Sequence, residues 1–287
     1  MKEYIEKATI LSEALPYFRK FYGKTVVIKY GGSAMEDEAI REKTASDIVL
    51  MKYVGMNPVV VHGGGKAISE VMAKMGKKAE FHKGMRVTDS ETMEIVEMVL
   101  VGRINKEVVS LINRAGGKAV GVSGKDGELI RSSKYKPTED IDIGFVGEVQ
   151  TINPGIIRSL EHGGYIAVVA PIGAGDDGET FNINADSVAG EIAAALQAEK
   201  LVLLTDTPGI LRERSNDASL ISTIQLSEIP QFINAGVIDG GMIPKVEACE
   251  RALRAGVKKT HIIDGRILHS LLLEIFTDKG IGTQIIP

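Results

Sequence analysis

Lys29 is a cation in apolar company, closing the run Val26-Val27-Ile28-Lys29-Tyr30 just before Gly31 and Gly32. An ammonium group in a buried strand is costly unless an anion pairs with it, although a lysine at a strand edge can also reach water. Lys245 poses the same question. In Gly240-Gly241-Met242-Ile243-Pro244-Lys245 it sits where a helix opens, and positive charge there opposes the helix dipole. Between them in sequence, Asn182-Ile183-Asn184-Ala185-Asp186 offers an N-cap in Asn184. Asn182 and Asp186 are spaced to face the sheet edge, giving donors for a ligand and a carboxylate to orient lysines. A second β-branched run, Val59-Val60-Val61-His62, ends in Gly63-Gly64-Gly65. Strands that run into glycines and then a helix expose backbone N–H groups to anions without a Cβ in the way. Two such turns at one sheet edge imply two anionic ligands facing each other, as group transfer requires. Arg86, in the turn-like segment Lys83-Gly84-Met85-Arg86-Val87-Thr88, could be solvated or could clamp a substrate carboxylate through two parallel hydrogen bonds.

The familiar phosphate loops do not account for these glycines. Gly23-Lys24-Thr25 lacks the upstream glycine of a Walker loop, having Phe18 in its place, and no Gly-x-Gly-x-x-Gly follows a strand. His62 is placed to hydrogen-bond at its turn, while His82, His162 and His269 read as surface or structural. The single cysteine, Cys249, excludes an intramolecular disulfide, and no Cys/His spacing suits zinc. It reads as a small buried hydrophobe. A net charge of −4 and the absence of Trp argue against a nucleic-acid surface, and no segment approaches a membrane span or a signal peptide. A reducing cytoplasm is the expected location.

The elements that must hold these residues follow from hydrophobic periodicity. Apolar runs at residues 25–29, 58–62, 118–122, 165–171, 200–205 and 260–264 are rich in Val and Ile and mostly lack alternation, as strands buried on both faces do. They alternate with helical stretches, which predicts a parallel-dominated sheet covered on both sides. Residues 129–152 differ. Their charges, alternation and Gly144 and Gly147 suggest a meander of short antiparallel strands. The composition shifts after a helix over 185–199, so a second lobe is expected from about Lys200. An N-terminal helix places Tyr4, Ile5, Ala8, Leu11 and Leu15 on one face until Pro16 kinks or ends it. That face could lie on its own core or dock on a neighbouring subunit.

Together, the motifs 27–32, 61–65, 84–88, 182–186 and 240–245 resemble the amino acid kinase family, in order and along almost the whole chain. The resemblance implies an α/β fold: an open, mostly parallel eight-stranded αβα sandwich with an N-terminal helical extension. It implies an oligomerisation arm at 1–22, an acceptor-binding and dimer-forming lobe at 23–199 and an ATP-binding lobe at 200–287. The implied reaction moves the γ-phosphoryl group of ATP, with Mg²⁺ on its phosphates, to the side-chain carboxylate of N-acetyl-L-glutamate, in arginine biosynthesis. Lys29, Lys245 and Asp186 would be catalytic, Gly31 and Gly32 would bind phosphate, and Gly64, Gly65, Arg86 and Asn182 would bind the acceptor. No protein ligand for the metal is implied. The N-terminal helix resembles that of arginine-inhibited hexameric members, trimers of dimers, and His261, Glu274, Gly280, Lys200 and Tyr17 match an L-arginine site. The nearest alternatives are a carboxylate kinase of lysine biosynthesis acting on carrier-bound aminoadipate, and a non-catalytic arginine sensor. Neither a nucleic acid nor a membrane is expected as partner.

Overall fold

A computed structural model describes residues 1–35, 37–138, 141–277 and 280–287. Its centre is an eight-stranded sheet. In chain order the strands are β1 (Thr25–Tyr30), β2 (Asn57–His62), β3 (Ala119–Ser123), β4 (Ile166–Ala170), β5 (Lys200–Thr205), β6 (Thr223–Gln225), β7 (Lys259–Asp264) and β8 (Thr283–Ile286). In space the order is β6-β8-β7-β5-β1-β2-β4-β3. All pairings are parallel except β7 with β8. The six strands expected from apolar runs form one contiguous block, β7-β5-β1-β2-β4-β3, which ends at the β3 edge. The two additional strands, β6 and β8, are short and lie together at one edge, where the exposed Thr223 and Gln225 and the half-buried Gln284 dilute the hydrophobic signal.

Why the central strands lack alternation is visible in β1. Val26 and Ile28 join one hydrophobic core and Val27 joins another, on the opposite face of the sheet. Both faces are buried, so the middle of the strand, Val26-Val27-Ile28, is aliphatic without alternation.

The meander expected over 129–152 is only half of what forms. Ile130–Lys134 and Val146–Ile152 do pair antiparallel. They then close with Ile172–Ala174 and Thr180–Ile183 into a four-stranded barrel, because the later hairpin supplies the partners that a two-strand ribbon lacks. Residues 139 and 140, within that stretch, lie outside the described residues.

The N-terminal helix spans Lys2–Phe21 and continues through Pro16, which does not end it. Its two ends behave differently. Phe21 is buried, and Tyr17 and Phe18 meet the Phe276 ring edge-on. The face bearing Tyr4, Ile5, Leu11 and Leu15 is exposed, so docking on its own core holds only for the last turns. Among the described residues, no helix is long and apolar enough to cross a membrane.

Candidate active site

β1 and β2 are parallel neighbours in register, with Tyr30 beside His62, so both glycine turns leave the same edge of the sheet. They touch: the Gly63 N–H donates to the Tyr30 carbonyl at 2.8 Å, and a Cβ on Gly63 would lie 3.8 Å from the Gly31 Cα. The two turns lead into different structures. Gly64 is the N-cap of the helix Gly65–Lys74, so the second turn opens a helix as expected. The first turn does not. Gly32, with φ of 66°, begins only a single 3₁₀ turn, and the next α-helix, Glu38–Tyr53, starts later under an Asp37 cap. The amides beside Lys29 therefore come from a left-handed glycine turn rather than from a helix end.

Asn184 caps the helix Ala185–Leu196, accepting from the Asp186 and Ser187 amides. Capping fixes Asp186 in the first helical turn, where a carboxylate is favoured by the dipole. There it is 5% exposed and joins two lysines from distant parts of the chain. Its Oδ1 is 3.0 Å from Lys29 Nζ, and its Oδ2 accepts a hydrogen bond from Lys245 Nζ at 2.8 Å. Burial pushes the Asp186 carboxyl up, but the Lys29 and Lys245 ammonium groups outweigh this and hold it below the usual carboxylate range. The cluster carries two positive charges against one negative charge. Lys245 reaches it from the first turn of the helix Ile243–Arg254, which follows the Gly240–Met242 turn and has Pro244 in its first turn.

Arg86 is buried, not solvated. It stands on a two-residue hairpin, Phe81–His82 with Met85–Arg86, and its guanidinium donates to the Gly65 carbonyl at 2.7 Å and the Ser69 hydroxyl at 2.8 Å. It also contacts Met72 Sδ and lies over the Phe81 ring. These partners are neutral, and desolvation lowers its pKa, so the side chain is a buried cation set against the start of the second-turn helix. Asn182 lies in the small barrel. Its backbone N–H donates to the Phe145 carbonyl at 2.8 Å, and its side-chain amide reaches the Thr88 hydroxyl at 3.4 Å. Asn182 thus faces the Arg86–Thr88 segment, while Asp186 faces the lysines.

Tyr17, Lys200, His261, Glu274 and Gly280 line one cavity of about 440 Å³, apart from the lysine cluster. Lys200 pairs in register with Val26, three positions before Lys29 along β1, so the cavity opens toward the opposite end of the strands. Glu274 Oε1 is 2.6 Å from His261 Nδ1 and 4.0 Å from Lys200 Nζ, and Oε2 accepts the Ile281 N–H at 3.1 Å. Burial lowers the pKa of Lys200 to about 8 despite Glu274, and burial also lowers that of His261. Burial raises the Glu274 carboxyl, but its contact with His261 more than offsets this and leaves it below the ordinary range. Gly280 sits at φ of 61°, and a Cβ there would come within 2.7 Å of Glu274 Oε2. Asp278 and Lys279 lie outside the described residues.

His62 does bond at its turn, to the Gly63 carbonyl at 3.0 Å, but its other nitrogen meets Asn105, a residue that no sequence motif marks. The signal available was an asparagine a few residues beyond the apolar run Met98–Val101 and directly after Ile104, where a polar side chain needs a partner if buried. His269 is structural, 2.6 Å from the buried Asp47 carboxylate. Cys249 is buried, and desolvation raises its thiol to about 12. Among the described residues, no group of three or more His, Cys, Asp or Glu could hold a metal ion.

The profile of the amino acid kinase family matches residues 24–264. The chain is similar to the acetylglutamate kinase of Moorella thermoacetica, at 60% identity covering 99% of this chain and 98% of the relative. It is similar to that of Syntrophus aciditrophicus at 59%, covering 98% and 97%. Among solved structures, it resembles N-acetylglutamate synthase from Neisseria gonorrhoeae, complexed with coenzyme A and N-acetyl-glutamate. The TM-score is 0.85 at 26% identity, over 98% of this chain, which spans 63% of the length of that synthase chain.

Proposed function

The chain belongs to the amino acid kinase family, and on that premise we propose that it is an enzyme phosphorylating the side-chain carboxylate of N-acetyl-L-glutamate. ATP is the donor, N-acetyl-L-glutamyl 5-phosphate the product, and arginine biosynthesis the context. The acceptor is the one named in relatives at 59–60% identity. The observation that carries the chemistry is the Lys29–Asp186–Lys245 cluster beside two touching glycine turns.

A carboxylate oxygen of the acceptor attacks the γ-phosphorus. That O–P bond forms as the bond to the bridging β–γ oxygen breaks, and ADP leaves with the electron pair. A carboxylate needs no general base at neutral pH, so the protein's work is positioning and charge. Lys29 and Lys245 stabilise the charge spread over the transferred phosphoryl oxygens, and Asp186 holds both ammonium groups in place. The Gly31 and Gly32 amides face the phosphoryl group and those of Gly64 and Gly65 face the acceptor. Arg86 takes the acceptor's α-carboxylate, and Asn182 its amino-acid end. In this scheme residues 23–199 hold the acceptor and form the dimer, and residues 200–287 hold ATP. Asp186, the carboxylate of the cluster, is already paired with both lysines, so the residues present suit Mg²⁺ carried on the nucleotide phosphates. Bound there, it would neutralise phosphate charge.

An ATP-dependent assay trapping the acyl phosphate as a hydroxamate tests this. N-acetyl-L-glutamate should be turned over, with glutamate and aspartate near background. Preference for either control overturns the substrate.

The cavity at Glu274 is read as an L-arginine feedback site. Glu274 is the anion for a guanidinium or ammonium group. With Nδ1–H given to Glu274, the buried His261 Nε2 has no hydrogen-bond partner among the described residues and can accept from the ligand. Millimolar L-arginine should inhibit with substrates saturating, and Glu274→Gln should raise the half-inhibitory concentration at least tenfold, given about 1.5–3 kcal/mol for a hydrogen bond to a charged group. Indifference of the wild type to arginine would remove this reading. The exposed apolar face of the N-terminal helix supports a hexamer built from dimers, and the cytoplasm is the proposed location.

A further inference from the structure

Met98–Ile104 is a π-helical stretch joining the helices Ser90–Glu97 and Asn105–Arg114. Such wide turns are rare and recur at functional sites, because they re-aim the side chains beyond them. Here two residues are aimed at the second glycine turn. A Cβ on Gly64 would lie 2.5 Å from Leu100 Cδ2, so Leu100 backs the turn directly. Asn105, wholly buried, places Nδ2 3.2 Å from His62 Nε2 and 2.9 Å from the Val168 carbonyl, while its Oδ1 accepts from Lys106 Nζ.

The network fixes the protons. Nδ2 must be the amide nitrogen, because an oxygen there would face the Val168 carbonyl and would turn Nδ2 toward the Lys106 ammonium. Nδ2 donates, so His62 Nε2 accepts and Nδ1 carries the proton that it gives to the Gly63 carbonyl at 3.0 Å. Burial lowers the imidazole pKa to about 4, so the ring is neutral near neutrality, consistent with this tautomer. The Gly63 N–H is meanwhile committed to Tyr30. Both sides of the Gly63 residue are therefore held, one by the first glycine turn and the other by an Asn105–His62 strut rooted in β4.

We propose that Asn105 and His62 are positioning residues for the acceptor: they set the orientation of the Gly63-Gly64-Gly65 backbone whose amides hold the acceptor carboxylate. The proposal rests on the acceptor assignment above. It places the strut's larger effect on the acceptor, because His62 bonds directly to the acceptor-side turn at Gly63, whereas the first turn meets that residue through the Tyr30 carbonyl and the Gly31 backbone.

The test compares Asn105→Leu, His62→Asn and His62→Gln with the wild type in the hydroxamate assay, alongside ¹⁵N NMR of the His62 ring. Leu fills the space of Asn105 without donating. The Asn amide nitrogen can take the place of Nδ1 against the Gly63 carbonyl, whereas the Gln nitrogen reaches the place of Nε2. Asn105→Leu and His62→Gln should raise KM for N-acetyl-L-glutamate by roughly ten- to a hundredfold, the scale of a small misplacement of binding groups, with KM for ATP within about threefold. His62→Asn, which keeps the Gly63 contact and loses only the Asn105 one, should raise the acceptor KM less than His62→Gln does. The wild-type imidazole should show Nδ1 protonated and Nε2 bare between pH 5.5 and 8, and Asn105→Leu should weaken that preference. Equal shifts in both KM values, or a fall in melting temperature alone, would overturn the proposal by making the strut merely structural. If the wild type does not phosphorylate N-acetyl-L-glutamate, the functional assignment fails by itself. The ring tautomer then still decides whether the strut exists, and a protonated Nε2 refutes it.

Discussion

Lys29→Met should leave a folded protein that binds N-acetyl-L-glutamate and scarcely phosphorylates it, with kcat lower by about 10³-fold or more. The size follows from where the charge moves. Attack of a carboxylate on a phosphoryl group brings anion to anion, and cationic groups aimed at the phosphoryl oxygens contribute about 10³–10⁵ in rate in phosphoryl transfer. Lys29 extends from β1 onto Asp186 at the edge where the two glycine turns meet, so its loss is felt where the charge redistributes. Met is close in length and apolar, as the neighbours Val61 and Leu203 in β2 and β5 require. Arg86 is untouched, so KM for the acceptor should change by no more than about threefold, and the loss should fall on kcat. The check is steady-state kinetics with both substrates varied. A variant keeping kcat within tenfold of the wild type would refute the role given to Lys29.

Asp186→Asn should cost both stability and turnover, and the stability should be recoverable without the turnover. With the carboxylate gone, two ammonium groups converge on a buried amide that cannot balance them. Removing one partner of a buried ion pair typically destabilises by about 3–5 kcal/mol, measurable by urea unfolding. Adding Lys29→Met removes one of the two opposed cations, so the double variant should regain at least about 1 kcal/mol over Asp186→Asn alone. Turnover should stay low in both, by at least about 10²-fold for Asp186→Asn, because lysines without their tether lose aim. The pH dependence has a definite sign. The Asp186 pKa is depressed in the folded state, so its contribution is present above the ordinary carboxylate range and is lost as pH falls through the lower folded value. Asp186→Asn should therefore flatten the acid limb of the stability curve. A double variant no more stable than the single one would show that the two lysines do not repel through this site.

Much of this architecture was legible because burial on both faces writes itself into composition. The middles of β1, β2, β4 and β5 are runs of Val, Ile, Leu and Ala, so their place in a parallel sheet buried on both faces follows from the residues alone. Lys29 stood out for the same reason, as a charged residue following such a run. What escaped was set by neighbours distant in sequence. β6 and β8 are short strands at one end of the sheet, β6 at the edge and β8 beside it, with polar outer positions. The barrel needs Ile172–Ala174 and Thr180–Ile183 to close on Ile130–Lys134, which local pattern does not announce. Pro16 read as a kink or an end because helix interiors rarely tolerate it, and the helix passes through it without ending. Arg86 could equally have been solvated. Its burial depends on the hairpin folding back over Ser69 and Met72. Asn105 carried the weakest signal, since its partner His62 lies across the sheet edge and a π-helical turn aims it there.

The carboxylate of Asp186 joins β1, near the start of the chain, to a helix that begins only at Ile243. A chain still emerging from the ribosome can therefore build β1, β2 and both glycine turns long before it owns the second cation. Until Lys245 has been made and folded back, Asp186 lacks one of its two lysine partners, and the phosphoryl-transfer site proposed above is incomplete. Loop closures of this span are slow compared with local helix formation. On the proposed mechanism this wiring makes catalysis a late property of the polypeptide: half-made chains would not generate a reactive acyl phosphate.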